Sequence, residues 1–329
     1  MKKNRDFVMG AVALTLLLVF GVTLSTCGGK TSQVQPSSGG DPAAELKQAA
    51  GAAKDAMLAA VKSGDAAAFA QAVQGKTAAE LADLFTSDAV SPGGDFSYDL
   101  NKEETGIIIK GYTGKDTVLV FPATIEGYPV VQLGDGSGGM EVGSDVVSVV
   151  IPEGVQIISN NFFFYTHDLQ TVVFPSTLTT IEHGAFGSNK ITSVELNHTA
   201  LTTLEDRIST LIENLDLSQT PLKTIGKNDR EGTFWNNLKT VKLPDSVMDI
   251  GDRAFAGCYN LTDINLPASL KNIGWAAFSD CRELYNLTIP DSLTSVSFDV
   301  DDDYTFSGCG KLPLATRRRL QSLGYKGKF

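Results

Sequence analysis

One pattern of 21 to 28 residues recurs seven times between Val146 and Lys311, with start-to-start spacings of 23, 22, 21, 26, 23 and 23. A period of this size means a stack of small units, none of which buries its own apolar face alone, so the chain is predicted to fold as a repeat solenoid. The units start at Val146, Leu169, Ile191, Ile212, Leu238, Leu261 and Leu284. In each, the fourth and sixth residues are apolar: Val149/Ile151, Val172/Phe174, Val194/Leu196, Leu215/Leu217, Val241/Leu243, Ile264/Leu266 and Leu287/Ile289. Alternation over so short a run predicts a strand with one face in the core. Pro152, Pro175, Pro244, Pro267 and Pro290 then end the strand, because proline has no N–H for a ladder. A second apolar rung follows at Val155, Leu178, Leu201, Leu222, Val247, Leu270 and Leu293. A third follows at Ile158, Ile181, Leu204, Ile225, Ile250, Ile273 and Val296. Each unit closes on a Phe (Phe163, Phe186, Phe234, Phe255, Phe278, Phe306), with Ile208 standing in once. The fold class is therefore α+β to mainly β, an array of short parallel strands, with an Ala-rich helical segment ahead of it.

The pattern L-x-x-[VIL]-x-[LIF]-P-x-x-[LV]-x-x-I-x-x-x-A-F-x-x-C, which the units at Leu238 and Leu261 follow almost residue for residue, resembles the BspA-like, treponemal class of leucine-rich repeats. The units at Ile191 and Ile212 depart from it: they lack the Pro and carry Asn197 and Ser218. A less regular opening unit, GYTGKDTVLVFPATIEGYPV, resembles the family's N-terminal unit, and LPLATRRRLQSLGYKGKF its C-terminal helical cap. The expected leucine-rich-repeat domain is 95–311 and the cap 312–329. The resemblance implies adhesion, or binding of a host or bacterial protein partner, at the cell surface. It is specific for fold and weak for function, since such arrays serve many binding roles.

The start of the chain reads as an address. Lys2, Lys3 and Arg5 precede an apolar run from Phe7 to Leu24, and Leu24-Ser25-Thr26-Cys27 follows. This order is that of a bacterial secretion signal over 1–26, and it resembles a lipobox in which Cys27 carries the lipid and becomes the mature N-terminus. The alternative is an uncleaved membrane anchor. Either way the protein is exported and tethered, with outer membrane or cell surface as the expected site. Residues 27–40 are a flexible polar linker.

Residues 41–90 contain 18 alanines and no strand pattern. Asp41-Pro42 starts one helix, Ser63-Gly64 stops it, and Asp65 caps a second that ends near Gly75. Thr77-Ala-Ala-Glu80 is a capping box opening a third. Leu46, Ala50, Ala53, Met57 and Val61 form one apolar stripe. Faces this small do not stabilise a free three-helix domain, so the segment is expected to be a spacer or a cap on the array.

Composition narrows the functions. The net charge of −11 argues against a nucleic-acid binder, which needs a basic face to displace counterions. Signal cleavage removes Lys2, Lys3, Arg5 and Asp6 and takes that charge to −13. His167, His183 and His198 fall in three different slots of the repeat, with no nucleophile placed to pair with any of them, so no catalytic residue is expected. Cys258, Cys281 and Cys309 share one slot; they read as a structural thiol ladder, with a disulfide as the alternative. Asp299, Asp301, Asp302 and Asp303 lack the spacing of a calcium loop and read as a solvated acidic loop. No metal, cofactor or small-molecule substrate is expected.

The outward strand positions are more telling. The fifth residue runs Val120, Val150, Val173, Glu195, Asp216, Lys242, Asn265, Thr288, and the third runs Val118, Ser148, Thr171, Ser193, Asn214, Thr240, Asp263, Asn286. The concave face therefore starts as a valine ladder and becomes polar. Three readings stay open: the helices fold over the valines; the valines are the core of a ligand site with an acidic rim; or Val is there for β-propensity alone. The candidate binding face is Val120, Val150, Val173, Glu195, Asp216, Lys242, Asp263 and Asn265. The expected function is non-enzymatic protein binding, with an envelope scaffold that binds another cell-envelope component as the alternative.

Overall fold

The rungs read from the sequence stack in register in the structure, a computed structural model that describes residues 42–82, 90–91, 93–137, 142–226, 235–293 and 304–329. Cys27, where lipid attachment is expected, the expected signal and linker, residues 299–303, Phe234 and Val296 lie outside the described residues. The chain forms two units, Met1–Ala53 and Lys54–Phe329. Everything below concerns the second.

That unit is a parallel-strand solenoid of about seven turns, of the leucine-rich-repeat type. Its longest sheet carries the third rung: Ile157–Ile158, Thr180–Ile181, Thr203–Leu204, Thr224–Ile225, Asp249–Ile250 and Asn272–Ile273 pair in parallel without a break. At the start of the array this sheet continues into Tyr128–Leu133 and Ile107–Tyr112, and Phe96–Leu100 closes its edge antiparallel. The first-rung strands form two further sheets. One joins Val118–Val120, Ser148–Val150 and Thr171–Val173; the other joins Asn214–Asp216, Thr240–Lys242, Asp263–Asn265 and Asn286–Thr288.

Between those two sheets the expected strand of the Ile191 unit does not form: residues 191–196 carry no strand. Side chains take the ladder's hydrogen-bonding groups there. His198 Nε2 donates to the Phe174 carbonyl at 2.9 Å, the Asn197 N–H donates to Glu195 Oε1 at 3.1 Å, and Asn197 Oδ1 accepts from the Gln219 N–H at 3.0 Å. Short polar side chains compete with ladders in this way, and Asn197 stands, with His198 after it, where other units carry the strand-ending Pro.

The core is the predicted one. The second rung is buried from Val155 to Leu293, and the third from Ile158 to Ile273. The Phe spine stacks face to face, Phe255 on Phe278 at 5.4 Å and Phe278 on Phe306 at 5.3 Å, with Phe163 on Phe186 at 5.2 Å nearer the start. Two residues before four of these Phe the turn places a left-handed residue: Asn161, Gly184, Arg253 and Ala276 have φ of 61°, 64°, 53° and 53°. Only one of the four is glycine, so the slot is imposed by stacking rather than by local preference.

The C-terminal helix, here called α4 (Leu314–Ser322), closes the last rung. Thr316 Oγ1 donates to the Leu287 carbonyl at 3.0 Å, and Arg319 Nη2 donates to those of Asp291 and Leu293 at 3.4 and 3.2 Å.

Candidate binding face

Three helices precede the array: α1 (Pro42–Ser63), α2 (Ala66–Val73) and α3 (Ala78–Ala82). Their starts are those written in the sequence. Asp65 Oδ1 accepts from the Ala68 N–H at 3.0 Å. The capping box is reciprocal, with the Glu80 N–H donating to Thr77 Oγ1 at 3.2 Å and the Thr77 N–H to Glu80 Oε2 at 2.8 Å.

Residues 54–63 of α1, with α2 and α3, lie on the valine ladder. Met57, Ala60, Phe69, Val73, Ala78 and Leu81 pack with Val118, Val120, Val150 and Val173 as a cluster of their own, apart from the main core. Alternation explains the separation: Leu119 and Val149 point into the array core while Val118, Val120 and Val150 point to the other side. Val120, Val150 and Val173 are 3%, 4% and 5% exposed, so they do not form an open apolar foothold. The packing is that of an internal cover, the first of the three readings. Where the segment enters the array, the Ser91 N–H donates to the Val120 carbonyl at 3.1 Å and Ser91 Oγ to Asp116 Oδ2 at 2.6 Å. The same carboxylate accepts from Tyr112 OH at 2.7 Å; burial first, and then this bond, pushes the Tyr112 hydroxyl well up.

The polar half of the face is open. Glu195, Lys242 and Asn265 are exposed, and Asp216 and Asp263 half-buried. The charges expected to form an acidic rim are largely committed within the chain. Lys242 Nζ sits 3.0 Å from Asp216 Oδ2, and Ser218 Oγ donates to Asp216 Oδ1 at 2.7 Å. The Ser218 bonds, and after them Lys242, hold the Asp216 carboxyl below the usual carboxylate range. Asp263 bonds Asn286. Asn265 is turned to its neighbour's backbone, with Oδ1 accepting from the Leu243 N–H at 2.9 Å and Nδ2 donating to the Leu243 carbonyl at 3.0 Å. Sequence reasoning missed this last role; Asn265 is the one Asn in its column, which otherwise holds Val, Glu, Asp, Lys and Thr.

The remaining candidates are structural. His167 Nδ1 contacts the Ser188 carbonyl at 2.9 Å, and His183 lies 3.6 Å from the buried Asp206. Cys258, Cys281 and Cys309 are buried free thiols; Cys281 Sγ donates to the Phe255 carbonyl at 3.2 Å and Cys309 Sγ to that of Phe278 at 3.1 Å. Burial pushes the Cys281 thiol up. Among the described residues no His, Cys, Asp or Glu group has the geometry of a metal site, and no helix is long and apolar enough to cross a membrane.

The family described as BspA type Leucine rich repeat region matches residues 142–233 and 230–316 in six copies, more than half of the chain. The chain belongs to the BspA-type leucine-rich repeat family. Proteins of this repeat type are typically non-enzymatic scaffolds whose arrays mediate protein–protein contacts. Solved structures include similar chains. A Treponema pallidum leucine-rich repeat protein is 29% identical, covers 73% of this chain and 98% of its own, and superposes with a TM-score of 0.48. A leucine-rich cell surface protein of Faecalibacterium prausnitzii is 18% identical, with 73% and 98% covered and a TM-score of 0.31. A leucine-rich repeat protein of Bacteroides ovatus is 18% identical, with 71% and 97% covered and a TM-score of 0.22. No curated protein matches the chain.

Proposed function

We propose that this BspA-type protein is an exported, lipid-tethered, non-enzymatic binding protein of the cell surface. Its partner, a host protein or another bacterial protein, docks on the uncovered four-stranded half of the open face. The observation that carries this reading is the division of the face: helices fill the apolar three strands and leave Asn214–Asp216, Thr240–Lys242, Asp263–Asn265 and Asn286–Thr288 free. A polar sheet surface built of adjacent rungs gives many small contacts that add over a large area. Cys27 supplies the tether, and the polar linker 27–40 gives the array reach from the membrane.

Protease shaving of intact cells, with mass spectrometry of the Cys27 peptide, tests address and lipid together. Binding is tested by capturing host matrix proteins and envelope extracts on the mature chain and on a Thr240→Glu/Asn286→Glu variant. Capture that the variant abolishes while its melting temperature stays unchanged is the expected outcome. Equal capture by both chains would move the partner off this face.

A further inference from the structure

The first strand of the longest sheet has an open edge whose residues are complementary to themselves. We propose that the array dimerises through this strand, β1 (Phe96–Leu100), which adds antiparallel to the β1 of a second copy of this chain and joins the two longest sheets into one. The inference is independent of the function proposed above, and β1 belongs to a different sheet from the docking face named there.

β1 ends its sheet and pairs on one side only, with β2 (Ile107–Tyr112). The Asn101 N–H donates to the Gly106 carbonyl at 2.8 Å and the Thr113 N–H to the Asp95 carbonyl at 2.8 Å, so the odd-numbered residues from Asp95 to Asn101 face β2. Phe96, Tyr98 and Leu100 therefore aim their N–H and C=O groups outward, and among the described residues no hydrogen bond reaches those groups. The usual protections of an edge are missing. Pairing of Ser97 with Gly111 and of Tyr98 with Ile109 puts the extra residue of the bulge, Lys110, on β2, so β1 itself stays regular. β1 holds no Pro and no Lys, and its one charge, Asp99, is drawn back to Lys110 at 3.1 Å.

The strand fits its own copy. Centred on Tyr98, an antiparallel self-pairing matches all five residues: Tyr98 meets its twin, Phe96 meets Leu100, and Ser97 meets Asp99. The outward residues then form the hydrogen-bonded pairs, and Ser97 and Asp99 the closer pair between them, with Cα atoms about 4.5 Å apart. Ser97 Oγ has no hydrogen-bond partner within the chain, and Lys110 takes only Oδ2 of Asp99. A turn about χ1 lets the Ser97 hydroxyl donate to the twin's Asp99 Oδ1, which satisfies both groups. Leu100, 42% exposed, comes to lie beside Phe96 of the other copy. A foreign strand supplies neither match by necessity; a second copy supplies both. The far end of the array is closed, with Thr316 and Arg319 of α4 on carbonyls of the last unit. Unlike ends do not stack head to tail, so the open edge pairs with its own like and the assembly stops at two copies.

The test uses the mature full-length chain with Cys27→Ser, so that the remaining native thiols are the buried ones. Sedimentation velocity over a concentration series should show a dimer whose fraction rises with concentration. Leu100→Pro removes an outward N–H at a position that β2 does not use, and should weaken the dimer about tenfold or more with the melting temperature unchanged. Should that variant melt early, Ser97→Asp replaces it: it sets two carboxylates against each other across the pair and should weaken the dimer as well. Cross-linking reads the register. A Ser97→Cys chain mixed with an Asp99→Cys chain should form an intermolecular disulfide under mild oxidation, seen on a non-reducing gel, far more than either chain alone. A chain that stays monomeric at every concentration and gives no mixed disulfide overturns the inference and leaves the edge to a foreign strand. A dimer that neither Leu100→Pro nor Ser97→Asp weakens, and that gives no mixed disulfide, is built on another surface and overturns it too.

Discussion

Lys242 Nζ and Asp216 Oδ2 lie 3.0 Å apart on neighbouring strands of the open sheet, so the Asp216 carboxylate is answered from within the chain. An approaching cation competes with Lys242 for it. The pairing leaves Glu195 as the exposed carboxylate of the face that has no cation answering it among the described ion pairs.

The Asp216 carboxyl is held below the usual range by Ser218 and then Lys242. An unfolded Asp titrates near 3.9. Between the folded and unfolded values the unfolded chain binds more protons, so stability rises with pH there. The stabilisation is complete above about pH 5 and is lost as pH falls through the depressed folded value. Comparing the melting temperatures of the native chain and Asp216→Asn across pH 2–6 should show a gap that closes only at the acid end. The gap is small, because both side chains are partly exposed and salt screens the pair.

Phe278 stacks on Phe255 on one side and Phe306 on the other, and its side chain is fully buried. Phe278→Ala removes both contacts and leaves a cavity inside a continuous column, at a cost of about 3–5 kcal/mol. Urea unfolding should show the unfolding free energy fall by that amount, with the transition staying single if the rungs remain coupled.

The left-handed slot gives a pair of opposite outcomes. Ala276 sits there at φ 53°, where an L side chain costs about 1–2 kcal/mol. Ala276→Gly relieves that strain and offsets part of it through the entropy of the unfolded chain, for a net gain of about 0.5–1 kcal/mol. At the equivalent Gly184, a Cβ meets the Asn161 side chain at once, so Gly184→Ala destabilises. Differential scanning calorimetry of the two variants should move the melting temperature in opposite directions.

The thiol ladder predicts silence. Cys258, Cys281 and Cys309 are buried, and burial pushes the Cys281 thiol up, so little thiolate is available to react. Ellman's reagent should label none of the three in the folded mature chain within minutes and all three in 6 M guanidinium. Rapid labelling of Cys281 in the native state would mean that the last units open far more readily than a packed spine allows.

Much of this fold is legible before any coordinates, because a period of about 23 residues fixes which side chain meets which, unit after unit. The rungs at Val155–Leu293 and Ile158–Ile273, the Phe spine, and the caps at Asp65 and Thr77 all follow from spacing and local chemistry. The missing strand at 191–196 does not. Val194 and Leu196 keep the alternation, yet Asn197 and His198 take the ladder's hydrogen bonds, a competition between particular geometries that a pattern does not express. The candidate face was half legible: the valine column announced that something covers it or binds it, while the choice between them depended on tertiary contact with α1–α3. The inward turn of Asn265 and the Lys242–Asp216 pairing depend on side-chain conformations that alternation alone leaves free.

The end of the array carries a further consequence. A stack of identical rungs has no intrinsic reason to stop, since its last strand offers the next chain the same carbonyls and the same apolar rungs that each unit offers its successor. Here Thr316 and Arg319 occupy carbonyls of Leu287, Asp291 and Leu293, and the helix that bears them lies where another rung would add. Those two side chains thus close a sheet edge that would otherwise be open to pairing with a second chain.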